Sequence, residues 1–182
     1  MSEMFSRRVF MRGLGVVAVA AALTACSSTN EAVNQALIEG AVGGIVAADC
    51  KIGRSRYWAA NATVPVNEIS FRIVMTNVSS KPVTLSGDNF ATTLDGTPIP
   101  PFNFSARDVG DADIWRTYDS LTIRPGEERS VALAYEISQP TYDSWYRSSR
   151  TVAVSFTCGN QRVTYTKNSR SDEITVSDIE TL

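Results

Sequence analysis

Histidine is absent from all 182 residues. That excludes every Ser–His and Cys–His catalytic pair and every imidazole metal ligand. Lysine is scarce: Lys51, Lys81 and Lys167 are the only ones, and none lies three positions after a serine, so S-x-x-K chemistry is missing. There is no G-x-S-x-G and no P-loop. The cysteines are Cys26, Cys50 and Cys158, with no C-x-x-C spacing to hold zinc. No apolar run reaches the roughly 20 residues of a spanning helix. Acidic residues outnumber basic ones by 19 to 17, and no basic tract interrupts the chain, which argues against nucleic acid as a partner. What is present is ordinary globular composition, 43% hydrophobic and 20% charged, which excludes a disordered chain and a coiled coil.

The start of the chain carries the most specific pattern. Ser6-Arg7-Arg8-Val9-Phe10-Met11-Arg12 precedes an uncharged apolar run, Gly13 to Ala25. A positive segment followed by a short apolar one reads as an export signal. Paired Arg7 and Arg8, with the flanking Ser6 and Phe10, resemble the twin-arginine signal for folded cargo. Leu23-Thr24-Ala25-Cys26 resembles a lipoprotein box, which implies cleavage before Cys26 and acylation of its thiol. Two or three acyl chains anchor a protein stably where one does not. The expected partner at this end is therefore the membrane, on its extracytoplasmic face. The match of Gly13-Leu14-Gly15-Val16-Val17-Ala18 to a dinucleotide fingerprint lies inside this leader, without the βαβ context that gives the glycines meaning.

With Cys26 lipidated, two cysteines remain in an exported chain. An even remainder in an oxidising compartment reads as a disulfide, Cys50–Cys158. It would close a loop of about 108 residues and contribute roughly 4–5 kcal/mol. A metal pair is the alternative, but no histidine or C-x-x-C completes it.

Residues 27–49 show a helical apolar face at Val33, Leu37, Ala41, Ile45 and Ala48, weakened by Gly40, Gly43 and Gly44. They read as a marginal helix or a flexible tether. Beyond Cys50 the period is two. Ile69, Phe71, Ile73 and Met75 alternate with Ser70, Arg72 and Val74, and similar runs recur around Leu85, Phe90, Ile123, Leu133, Val154 and Tyr165. A further strand is plausible around Tyr57-Trp58-Ala59. Turn chemistry separates the runs: Asn77 to Pro82, Asp95-Gly96, Arg124-Pro125-Gly126-Glu127 and Gly159-Asn160. Seven or eight short strands so punctuated predict an all-β antiparallel sandwich. The expected organisation is a signal peptide over 1–25, a lipidated tether over 26–49, a sandwich over 50–168 and a tail over 169–182.

Asn77-Val-Ser-Ser-Lys-Pro-Val-Thr-Leu, Phe90 through Asp95-Gly96, Leu121-x-Ile-x-Pro-Gly-Glu and Val131-x-Leu-x-Tyr together resemble a family of Ig-like extracellular domains of unknown function. These domains occur behind lipoprotein signals in Gram-positive bacteria and are similar in fold to the immunoprotective extracellular protein superfamily. The resemblance spans about residues 52–166. It implies an Ig-like fold and brings no catalytic residue with it.

Two segments concentrate aromatics beside arginines: Trp115, Arg116 and Tyr118, then Tyr142, Trp145 and Tyr146. Trp, Tyr and Arg dominate binding hot spots because they bury large areas yet keep a polar handle. The plainer alternative is that these segments cover the sandwich ends. Asp108, Asp111 and Asp113 form an acidic cluster, but the spacing fails an EF-hand loop, with Arg116 where Gly is needed, so a solvated loop is the better reading. No cofactor is implied. The expected role is non-catalytic binding of an envelope protein or glycan. The alternative is a carboxylate-based enzyme on cell-wall glycans, which needs two facing carboxylates in a concave pocket.

Overall fold

The structure, a computed structural model, describes residues 40–57, 63–101, 103–109 and 115–182. Arg7, Arg8, Cys26, the first part of the expected tether, Phe102, Asp111 and Asp113 lie outside the described residues. In chain order the elements are β1 (Ile45–Tyr57), β2 (Val66–Asn77), β3 (Val83–Ser86), β4 (Phe90–Leu94), β5 (Thr97–Ile99), β6 (Asn103–Asp108), β7 (Arg116–Thr117), β8 (Ser120–Ile123), β9 (Glu128–Glu136), α1 (Gln139–Ser144), β10 (Thr151–Cys158), β11 (Gln161–Asn168), β12 (Ile174–Val176) and β13 (Glu180–Thr181). All pairings are antiparallel. One sheet runs β1-β2-β9-β6-β7. The other runs β12-β11-β10-β4-β5, with β13 also on β11, and β3 pairs with β8. The fold is all-β, as the alternation predicts.

The apolar half of each alternating run faces the opposite sheet. Ile69, Phe71, Ile73 and Met75 of β2 and Val131, Leu133 and Tyr135 of β9 are essentially solvent-free. They meet Phe90, Val152, Val154, Phe156, Val163 and Tyr165 of the second sheet in one core. Tilted aromatic pairs cross the interface: Phe71 lies 6.1 Å from Phe90 and 5.7 Å from Tyr165 between ring centroids. Burying each such side chain contributes about 1.5–3 kcal/mol. The expected turns form for their stated reasons. Gly126 takes φ +74 and Glu127 N–H donates to Arg124 at 2.9 Å, closing the Pro-Gly turn. Asp95 and Gly96 both adopt positive φ, as a type I′ hairpin requires. The Asp95 carboxylate accepts from Arg150 and from Thr151 N–H, which lowers its pKa.

Three expectations change. First, residues 40–49 belong to the domain. Gly43 and Gly44, at φ +58 and +87, turn the chain so that Val42 bridges Ile45, and Ala41, Val42 and Ile45 are buried. The β-branched Ile45 and Val46 then open β1 rather than continue a helix. Second, the C-terminal segment is not a loose tail: β12 and β13 both pair with β11. Third, Cys50 and Cys158 are free. Cys50 sits in a bulge, where Asp49 and Cys50 stand between the Ala48–Val74 and Lys51–Arg72 pairs. Its neighbours include Lys167 and Tyr165, and burial pushes its thiol up to about 12. Cys158 instead pairs with Gln161 at the far end of the hairpin, its Sγ 3.7 Å from the Gly43 carbonyl. Along β11, Gln161 and Tyr165 are separated by about 13 Å of strand. A disulfide needs Cα atoms within about 7 Å. Alkylation in denaturant without reductant should therefore label both Cys50 and Cys158, and a mass consistent with an unlabelled pair would restore the bond.

Asn77 locks one end of the sandwich. Its fully buried amide donates to the carbonyls of Lys81 and Ile123, each at 2.8 Å, and accepts from Ser79 N–H and Oγ. Asn77→Ala leaves those carbonyls without their donor and should cost about 2 kcal/mol or more in chemical denaturation. An unchanged midpoint would show that the lock does not matter.

Candidate functional site

The outward half of the first sheet carries the exposed chemistry. Pairing aligns Lys51 of β1, Arg72 of β2, Ala132 of β9 and Ser105 of β6 in one row. The neighbouring row aligns Val74, Ser130 and Arg107. Directly paired residues share a face, so the central strand offers only Ser130, Ala132 and Ala134 between arginines on either side. Trp115, just before β7, occupies this face. The Arg72 and Arg107 guanidiniums lie over its ring, 5.5 and 5.0 Å from the centroid. Such cation–π contacts attract the guanidiniums to the ring without neutralising them. Among the described residues, the carboxylate nearest along the strands is Asp49, exposed in the β1 bulge two residues before Lys51, and it forms no ion pair with this row. Glu68 is paired with Glu136 in one direction and Glu128 with Thr76 in the other, each four residues along β2 from Arg72.

A second aromatic–arginine cluster lies at the end of β1, on its core-facing side. Arg54 lies over the rings of Tyr142 and Tyr146, at 4.2 and 4.5 Å, and donates to the Tyr142 carbonyl. Arg56 lies 4.1 Å from the Tyr142 centroid, donates to Asn67 at 2.7 Å and pairs with Asp143 at 3.6 Å. Asn67 donates to Gln139, and Gln139 to Asp143. Ser138 caps α1, with Pro140 in its first turn. Arg54, Arg56, Asn67, Gln139 and Asp143 all have partners within this cluster. The cluster is a clasp that holds α1 over the sandwich end, and beneath it Trp145 is buried to 3% exposure.

The two aromatic segments singled out from sequence are therefore not one surface. Trp145 is core, because α1 folds it inward against the sheets. Tyr142 is half-buried in the clasp, and Tyr146, at its rim, is 61% exposed. Trp115 is half-buried on the outer face, Arg116 is exposed on β7, and Tyr118 packs against the core from its edge. Arg72 and Arg107 were missed, since an arginine in an alternating strand reads only as an outward position. Asp108 pairs with Arg129, and the described residues contain no cluster of three metal-ligating side chains. Among the described residues, neither of two concavities is lined by a carboxylate. An apolar crevice lined by Ile45, Phe156, Val163 and Tyr165 holds about 10 Å³, and an open depression of about 590 Å³ is lined by Ala41, Gly44, Val78, Ser79, Ser80 and Gln161. Among the described residues no helix is long and apolar enough to cross a membrane.

The two tryptophans should respond differently to truncation. Trp145→Ala empties core volume and should cost about 3–5 kcal/mol. Trp115→Ala should cost much less, and equal losses in thermal or chemical unfolding would overturn this division.

No family model matches the chain, and no curated protein matches it. The resemblance to Ig-like extracellular domains thus stands only at the level of an all-β sandwich. Among solved structures, the chain is similar to an uncharacterized β-sandwich protein from Clostridium difficile 630, with 16% identity and a TM-score of 0.40 over 70% of this chain and 91% of that one. It is also similar to the yjhA protein from Bacillus subtilis, with 14% identity and a TM-score of 0.39 over 62% and 73%. A protein from Archaeoglobus fulgidus aligns with 12% identity and a TM-score of 0.33, over 74% of this chain and 98% of that one.

Proposed function

We propose that this protein is a non-catalytic binding module of the bacterial cell envelope, exported through its Arg7-Arg8 signal and held by lipid on Cys26 at the extracytoplasmic face of the membrane. The contact surface is the outer face of the β1-β2-β9-β6-β7 sheet. The observation that carries this reading is Trp115, half-exposed between Arg72 and Arg107 on an otherwise small-residue strand face. An accessible aromatic flanked by arginines has the composition of a binding hot spot. The absence of histidine and of nucleophile motifs supports a role without catalysis. The Ig-like lipoprotein assignment belongs to the same proposal and rests on the motifs quoted from the sequence.

A carboxylate-based enzyme on cell-wall glycans has one observation in its favour, the Glu68–Glu136 pair. That pair lies on an open sheet face, where a glycosidase would need an enclosed cleft.

Two measurements test the proposal. Mass spectrometry of membrane-fraction protein should find a lipidated N-terminus at Cys26, and an intact Met1–Ala25 peptide would overturn the anchor. A photo-crosslinker at position 115 in intact cells should capture an envelope component, whereas one at Tyr146, on the clasp, should capture less. Equal capture at both, or none at 115, would remove the surface from the proposal.

A further inference from the structure

Lys51 and Arg72 stand directly opposite each other across β1 and β2, both exposed. Their Cβ atoms are therefore about 5 Å apart, a like-charge contact that destabilises a sheet. Neither has a hydrogen-bond or ion-pair partner among the described residues; Arg72 has only the Trp115 ring. Arg107 brings a third positive charge to the same ring. A chain with net charge −2 has thus set two arginines against one tryptophan, with Lys51 opposite the first, and left Lys51 and Arg72 without an ion pair among the described residues.

We infer that this face binds an anionic saccharide, its sugar ring lying on Trp115 and its acid group bridging Lys51 and Arg72. The inference rests on the binding-module reading above and names the ligand class for the same face. An indole offers a flat apolar ring for the C–H face of a sugar. A guanidinium forks onto the two oxygens of a carboxylate or phosphate, and the neighbouring ammonium adds a point charge. Ser130 and Ala132 beside Trp115 are small enough for a ring to approach the sheet.

The distribution of charge selects a discrete anion over an extended anionic surface. Glu68 and Glu136 lie about 13 Å along β2 and β9 on one side, and Glu128 lies about as far on the other. A lipid headgroup plane or a nucleic-acid backbone laid over this face would meet those carboxylates. One acidic sugar at the centre would meet at most Asp49, in the β1 bulge two residues before Lys51.

The test uses the full-length lipidated protein in detergent. The probes are oligogalacturonate and a phosphorylated mannose oligosaccharide, each beside its uncharged counterpart, with soluble glycerol phosphate, a lipid-headgroup anion, as the other source of anions. At least one acidic saccharide should bind about tenfold more tightly than its neutral counterpart, and the preference should shrink as salt is raised. Lys51→Ala with Arg72→Ala should abolish the preference. Trp115→Ala should weaken acidic and neutral saccharides alike. Tyr146→Ala, a more exposed aromatic on the clasp, should change nothing. Circular dichroism and melting confirm that each variant is folded. Equal binding of acidic and neutral probes, binding of glycerol phosphate but of no saccharide, or binding unaffected by the Lys51 and Arg72 changes overturns the inference. If position 115 still crosslinks to an envelope protein while no saccharide binds, the binding-module reading stands and the saccharide falls.

Discussion

The strict alternation along β2 is the constraint on which the rest of this molecule depends. Between Asn67 and Asn77 every odd position is buried and every even one is at least partly exposed. A slip of one residue would carry Arg72 into the core and put Phe71 and Ile73 in water. Because β2 is flanked by β1 and β9, the same register fixes both neighbours. The core and the candidate surface are thus two faces of one pairing. The arginine over Trp115 points outward for the same reason that Phe71 reaches Phe90 and Tyr165.

The two ends of the sandwich are sealed by polar groups of different kinds. At one end Asn77 joins its own turn to the strand end at Ile123 through a neutral, fully satisfied amide. At the other, arginines 54 and 56 are spent on tyrosine rings and on the α1 backbone. Buried polar groups of this sort stabilise only when complete, since each unmet partner costs about 1–3 kcal/mol. Tyr135 is a local exception. Burial pushes its hydroxyl up to about 12, Thr92 is the group that opposes the shift, and neither oxygen forms a full hydrogen bond. This orphaned pair lies in the core, Tyr135 sharing a cross-strand row with Ile69 and the clasp residue Arg54.

The central strands were legible because one face is apolar and the other is not. The edges were harder. In β6 only Phe104 and Ala106 mark the inward face, and β12 and β13 are three and two residues long. The start of β1 was read as helix because Ala41, Ile45 and Ala48 follow helical spacing. The choice was made by the two positive-φ glycines and by the fit at Gly43, where a Cβ would come within 2.7 Å of the Cys158 carbonyl oxygen. The aromatic segments misled for a related reason: exposure of a tryptophan is not encoded by its neighbours in sequence.

By itself the sequence determined the all-β class, the strands with a clean two-residue period, the turn types and the absence of histidine-based chemistry. These follow from local rules: side-chain alternation, the φ preferences of proline and glycine, and composition. Only the tertiary structure decided which residues share a surface. It placed Lys51, Arg72, Arg107 and Trp115 together although 64 residues separate the first from the last. It kept Cys50 and Cys158 at opposite stretches of β11, and it turned Trp145 into core while leaving Trp115 accessible. Cross-strand register and the closure of a sheet end are long-range pairings, and their outcome depends on which strands become neighbours.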